Sequence, residues 1–206
     1  MSAHTRRRLV ALALIGLTGL SVAACGDDTR TAGSVESGAS AETSTVEPAA
    51  SDVMFAQMMI PHHEQAIEMS DLAADRAESP EVLALAADIK AAQDPEIDLM
   101  SEWLEAWGED VPTSGMGMDH AGHDMDGMGG SMMGMMSAED MEALAEASGA
   151  AFDRMWLEMM IEHHEGAVVM AEQVSDSELP EMRNLAEAII AGQTAEIETM
   201  RGLLAQ

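Results

Sequence analysis

The strongest constraint on this chain is an internal duplication. Met58–Met69 reads MMIPHHEQAIEM and Met159–Met170 reads MMIEHHEGAVVM. An offset of 101 superimposes Met58/Met159, Met59/Met160, His62/His163, His63/His164, Glu64/Glu165, Ala66/Ala167 and Met69/Met170. Asp52/Asp153 and Phe55/Trp156 extend the match upstream. Downstream, an offset of 100 aligns Ala86/Ala186, Ile89/Ile189, Gln93/Gln193, Glu96/Glu196, Ile97/Ile197, Met100/Met200 and Leu104/Leu204. The repeated unit is a pair of helices, because apolar residues recur at helical spacing through Phe55, Met58, Met59, Ala66, Ile67, Met69, Leu72 and Ala73. Composition agrees: with Phe 2, Trp 3 and no Tyr in 206 residues, the chain lacks the aromatic residues that sheets favour. The expectation is an all-α domain of antiparallel helix pairs packed into one bundle.

Punctuation places the elements. Ser51-Asp52 offers a cap for a first helix running to about Ala77, with Pro61 inside it freeing the Gln57 carbonyl and kinking the helix beside His62. Ser79-Pro80-Glu81 opens a second helix that ends at Trp107 before Gly108, with Pro95 bending it. Ser137 and Asp140 form a capping box for a short extra helix to about Ala147, and Gly149 interrupts. A long helix from Ala150 to about Val174 carries the second His-His. A last one runs from Glu178 to about Leu204, with Pro180 in its first turn.

Outside this core, residues 1–25 read as an export signal. Arg6-Arg7-Arg8 precede the apolar run Leu9–Leu20, and Val22-Ala23-Ala24-Cys25 resembles the lipobox of bacterial lipoproteins. Cys25 is the only cysteine; once it carries lipid, neither a disulfide nor a thiolate ligand remains, and the membrane becomes a partner through that anchor. Residues 26–50 have the Ser, Thr, Ala, Gly and Glu composition of a disordered spacer. The helical domain then spans 51–206: repeat one 51–108, a Met/His-rich loop 109–136, and repeat two 137–206. From Cys25 onward, 6 basic residues (9 less Arg6, Arg7 and Arg8) face 38 acidic ones, a net charge of −32. Such a field repels nucleic acid and gathers cations.

Which cation is a matter of ligand chemistry. Residues four apart on a helix are stacked neighbours, so Met58, His62 and Met69 share a stripe, as do Met159, His163 and Met170. Adjacent imidazoles splay by about 100°, so the two His of each copy reach different surroundings. Met59 and Met160 sit one turn before both. Imidazole with thioether and no thiolate selects copper, above all Cu(I). A helical di-iron site would need Glu-x-x-His, and the residue three before His62 and His163 is Met59 and Met160. Glu64 and Glu165 keep an iron alternative in play. The loop adds Met116, Met118, His120, His123, Met125, Met128, Met132, Met133, Met135 and Met136, with Asp119, Asp124 and Asp126, as a second and weaker metal-binding tract. Met100, Met155, Met182 and Met200 are expected to fill the core, as are Trp103, Trp107 and Trp156.

These residues resemble the DUF305 family of exported bacterial proteins, whose hallmark is His-His-x-x-Ala-Ile-x-Met. His62-His63-Glu64-Gln65-Ala66-Ile67-Glu68-Met69 fits fully, and His163-His164-Glu165-Gly166-Ala167-Val168-Val169-Met170 departs only at Val168. The resemblance covers about residues 51–205. It implies a ferritin-like four-helix bundle and, from characterised members, copper binding outside the cytoplasm. The functional expectation is an exported copper-binding lipoprotein, chiefly for Cu(I), that sequesters the ion or delivers it to a cuproprotein or copper-transport partner. No nucleophile with its base, phosphate loop or dinucleotide fingerprint is visible. The rivals are a ferritin-like oxidoreductase acting on iron or Cu(I), a helical interaction module without metal, and Zn or Ni binding through His alone.

Overall fold

In the computed structural model, described over residues 47–112 and 132–206, helices α1 (Ala50–Arg76) and α2 (Pro80–Trp107) form one hairpin. Helices α4 (Ala150–Glu172) and α5 (Pro180–Leu204) form the other. The short α3 (Ala138–Glu146) leads into α4, and a single 3-10 turn covers Met132–Gly134. All described elements are helical, and none of the helices among these residues is long and apolar enough to cross a membrane. The export signal, most of the spacer, and Met116, Met118, His120, His123, Met125 and Met128 lie outside the described residues.

Most helix ends follow the sequence. Ser79 accepts the Val82 amide, Gly108 closes α2 in the left-handed region at φ 76°, and Ser137 and Asp140 cap each other as a reciprocal box. The start of α1 is a correction. Its cap is Ala49, and Asp52, in the first turn, reaches back to accept the Ala49 amide at 2.9 Å. Ala49 has no side-chain acceptor to return the bond, so the acid alone does the capping. Helix α4 ends at Glu172, two residues earlier than expected, and α5 starts at Pro180, two later. Helix α1 continues through Pro61, and α2 through Pro95.

The hairpins meet along α1 and α4, which run antiparallel. Asp153 near the start of α4 accepts the Glu78 and Ser79 amides just past the end of α1, while Met58 and Phe55 share a cleft with Met170 and Val174 at the other end. Antiparallel packing crosses the two copies. One apolar cluster joins Phe55 and Met59 of the first copy to Met170 of the second; the other joins Trp156 and Met160 of the second to Met69 of the first. Trp156, fully buried, donates its indole N–H to the Met69 carbonyl at 3.1 Å, an interhelical bond that seals the second cluster. Met100, Met182 and Met200 are core, as expected, and Met155 packs on its edge. Trp103 and Trp107 are half-buried and stack on each other 6.1 Å apart.

Candidate metal centre

The crossing of α1 and α4 places all four imidazoles inside the bundle, none more than 1% exposed. His62 and His163, equivalent residues of the two copies, lie ring to ring with centroids 3.7 Å apart. His164 lies 6.2 Å from His163. The splay expected of adjacent His is realised by two kinds of partner. His63 Nε2 meets Glu96 Oε2 at 2.7 Å and His164 Nε2 meets Glu196 Oε2 at 2.8 Å, repeat-equivalent bonds to the second helix of each hairpin. His62 Nε2 instead meets the Met133 carbonyl at 3.0 Å.

These partners decide the tautomers. A carbonyl or carboxylate oxygen can only accept, so Nε2 of His62, His63 and His164 carries the proton, and in the neutral ring Nδ1 is left as the lone pair. In all three, Nδ1 is buried without a hydrogen-bond partner. Neither nitrogen of His163 has a partner in bonding geometry. Burial holds His62 down at about 3, with its bond to Met133 opposing and the charges of His63 and His164 assisting. Burial likewise pushes His163 well below the ordinary imidazole value, helped by His62, His164 and His63, while the nearby His62 main chain offsets little. The central pair is therefore neutral at physiological pH.

Such a set of buried lone pairs is costly unless something uses it. Among the described residues, no three His, Cys, Asp or Glu side chains surround one point. Any coordination sphere the imidazoles begin would therefore need other donors to complete it, and thioethers are the soft donors at hand. Of the expected thioethers, Met59, Met69 and Met160 are fully buried and Met170 nearly so, while Met58 and Met159 are half-buried at the rims. Met59 and Met170 share one cluster, and Met69 and Met160 the other. Along α1 and α4 each His-His thus lies between two clusters that hold methionines of both copies, which a reading of one helix at a time could not show. The carboxylates facing the imidazoles are Glu96 and Glu196. Glu165 is half-exposed in an ion pair with Arg201, and Glu64 borders an acidic groove on the surface.

The end of the Met-rich tract is also part of the centre. Residues 133–136 form a strap docked on α4: Met136 is buried, and Met133 packs on the first cluster. Gln65 grips the strap with two bonds, donating to the Met136 carbonyl at 2.9 Å and accepting its amide at 2.7 Å. Gly166, its repeat equivalent, makes the room: a Cβ there would lie 1.6 Å from the Met133 carbonyl oxygen. Met133 itself adopts φ 37°, ψ 61°, a left-handed conformation costing about 1–2 kcal/mol for a non-glycine residue. The docking contacts hold it there. The expectation of a free loop over 109–136 is corrected for these last residues. Their sequence signal is the Gln65/Gly166 difference, one of four between the two motifs.

The family profile described as Domain of unknown function (DUF305) matches residues 52–204. Among solved structures, a DUF305 fragment from Deinococcus radiodurans is 32% identical, with 77% of this chain and 97% of that one covered and a TM-score of 0.65. A DUF305 protein from Streptomyces coelicolor is 33% identical, with coverage of 75% and 92% and a TM-score of 0.65. CopM in its Cu(I)-bound form is 35% identical, with coverage of 74% and 94% and a TM-score of 0.59; it is also solved in Cu(II)- and Ag-bound forms. No curated protein matches. With three quarters of its length matched by the profile and more than 30% identity to solved DUF305 structures over most of both chains, the chain belongs to the DUF305 family.

Proposed function

We propose that this protein binds copper, chiefly Cu(I), in the bundle interior and serves to sequester it or hand it on outside the cytoplasm. The observation that carries this is the quartet of buried imidazoles whose Nδ1 atoms have no partner in the fold. A fold-mate at 35% identity holds Cu(I), which supports the same ion here. His62, His63, His163 and His164 supply nitrogen donors, and Met59, Met69 and Met160, the fully buried thioethers of the two flanking clusters, supply soft sulfur. Glu96 and Glu196 orient their imidazoles and raise their donor strength, as outer partners of ligating histidines do. Burial keeps the central pair neutral, so an incoming cation has no proton to displace there. Export and lipid attachment at Cys25 rest on the leader sequence and set the compartment. The part of the Met/His tract over 113–131 would collect further ions.

A second reading is favoured by one observation: two carboxylates, Glu96 and Glu196, touch imidazoles in repeat-equivalent geometry, and carboxylate with imidazole is the donor chemistry of helical di-metal oxidoreductases. O₂ uptake with Fe(II) and with Cu(I), measured beside Cu(I) affinity in an anaerobic chelator competition, separates the two. Tight Cu(I) binding without O₂ turnover supports storage or delivery. Multiple turnover with Fe(II) replaces it with the oxidoreductase.

A further inference from the structure

The imidazole quartet does not account for the methionines on the outside of the α1/α4 contact. There, Met54, Met58, Met133 and Met170 line a small cleft of about 70 Å³, together with Ser51, Phe55, Gln173 and Val174. Met54 is 60% exposed, too open for core packing to explain a long apolar side chain at that point. Met54 and Met58 are one helical turn apart on α1 and so project side by side. Met170 enters from the far end of α4, and Met133 from the strap, where its backbone is held in the left-handed region. Three separate segments thus bring methionines to one opening, and among the described residues no carboxylate, imidazole or ammonium group lines it.

We infer that this cleft is a second, outer binding site, specific for a soft monovalent cation, Cu(I) or Ag(I), held by the thioethers of Met54, Met58, Met133 and Met170. The inference rests on the copper reading and adds to it an entry point. Thioethers without charged ligands discriminate against Zn(II) and Ca(II), which prefer imidazole, thiolate or oxygen. Methionine side chains are flexible enough to close on an ion from this loose arrangement. Met133 joins the outer site to the inner one: it lines the cleft, and its carbonyl accepts from His62 Nε2 at 3.0 Å. An ion drawn to the Met133 sulfur is therefore one residue from the first interior imidazole.

The duplication provides a built-in control. The repeat equivalents of Met54, Met58 and Met170 are Met155, Met159 and Met69. Met155 and Met159 pack against the cluster that contains Met69 and Met136, and Met155 is not exposed as Met54 is. Among the described residues, the first set lines the open cleft, while the second packs against the interior cluster.

The test is residue-resolved. Full-length protein with isotope-labelled methionine methyl groups is titrated anaerobically with Ag(I), a redox-inert probe, and separately with Zn(II). Ag(I) is expected to shift the methyls of Met54, Met58, Met133 and Met170 together, and Zn(II) to leave them in place. Met54→Leu/Met58→Leu should abolish the Ag(I) shifts at Met133 and Met170, whereas Met155→Leu/Met159→Leu should preserve them. Leucine conserves volume, and an unchanged thermal unfolding curve confirms the fold. His63/His163/His164→Ala, which leaves the His62–Met133 bond in place, should keep the cleft shifts, so failure of the inner site and failure of the outer one are read separately. The inference is overturned if the four methyls stay still while other groups respond to Ag(I), or if the Met54/Met58 variant leaves Met133 and Met170 shifting as before.

Discussion

Replacing Gly166 by Ala is a stringent test of how the strap is held, because two effects of opposite sign compete. In an isolated helix the change gains about 1 kcal/mol, since Ala is the better helix former. In this bundle the new Cβ would lie 1.6 Å from the Met133 carbonyl oxygen, 2.4 Å from its carbonyl carbon and 2.9 Å from the Gly134 nitrogen. These are backbone atoms, so no rotamer change relieves the clash and the strap must lift. Lifting it breaks the His62–Met133 bond and both Gln65–Met136 bonds. At about 1 kcal/mol net each, that is roughly 3 kcal/mol of local stability, or a factor of about 100 in the opening equilibrium. The assay is native-state hydrogen exchange at the Met136 amide, which donates to Gln65 Oε1. Protection there should fall by about 100-fold in Gly166→Ala, while core amides of α2 keep theirs, helped by the helix gain. Gln65→Ala should produce the same local loss, and the double variant should add little to either, because both act on one strap. Unchanged Met136 protection in Gly166→Ala would refute the docking.

Three further outcomes follow from the site. His62 and His163 stay neutral in the fold but protonate in the unfolded chain below about pH 6.5, so the unfolded state takes up the protons and metal-free stability falls as pH drops. Between pH 6.5 and 5 the loss is about 2 kcal/mol for His62, with a further loss from His163, read by urea unfolding; His62→Gln/His163→Gln should flatten that slope. Glu96→Ala and Glu196→Ala release the Nε2 protons of His63 and His164. Imidazole ¹⁵N shifts should move from a single tautomer to a mixture, with Cu(I) affinity lower by about 10–100-fold; an unaltered tautomer would count against the carboxylate lock. Trp156→Phe removes the indole donor from the Met69 carbonyl, which keeps its helical bond, and opens a void in the second cluster, costing about 1–3 kcal/mol in thermal or urea unfolding.

Much of this was legible in the chain because its signals are local or repeated. Gly108, Ser79-Pro80 and the Ser137/Asp140 box are contained within a few residues, and each ends or starts a helix where its chemistry says it should. The His-His duplication pointed to the four imidazoles that the fold buries together, since one helix cannot aim adjacent imidazoles at the same point. What escaped depends on contacts between segments. Glu96 and Glu196 align as repeat equivalents, but pairing each with its His needs the packing of α1 on α2 and of α4 on α5. Gln93 and Gln193, buried one turn earlier, carry the same kind of signal: polar residues kept at equivalent places on an apolar stripe. Ala49 replaced Ser51 as the cap because Asp52 serves the turn from inside it. The strap escaped because its composition belongs to a low-complexity tract, and only Gln65 and Gly166, seen together in space, reveal that its end is docked.

The central claim, that copper is held by the buried imidazoles, is tested most directly by anaerobic Cu(I) titration against a competing chelator. Wild type is compared with the His62/His63/His163/His164→Ala variant and with a deletion of residues 113–131. The account predicts that the tightest Cu(I) binding disappears in the four-His variant and survives the deletion, which removes only weaker sites. Tight binding that persists without the four imidazoles, or that vanishes with the deletion alone, would contradict it.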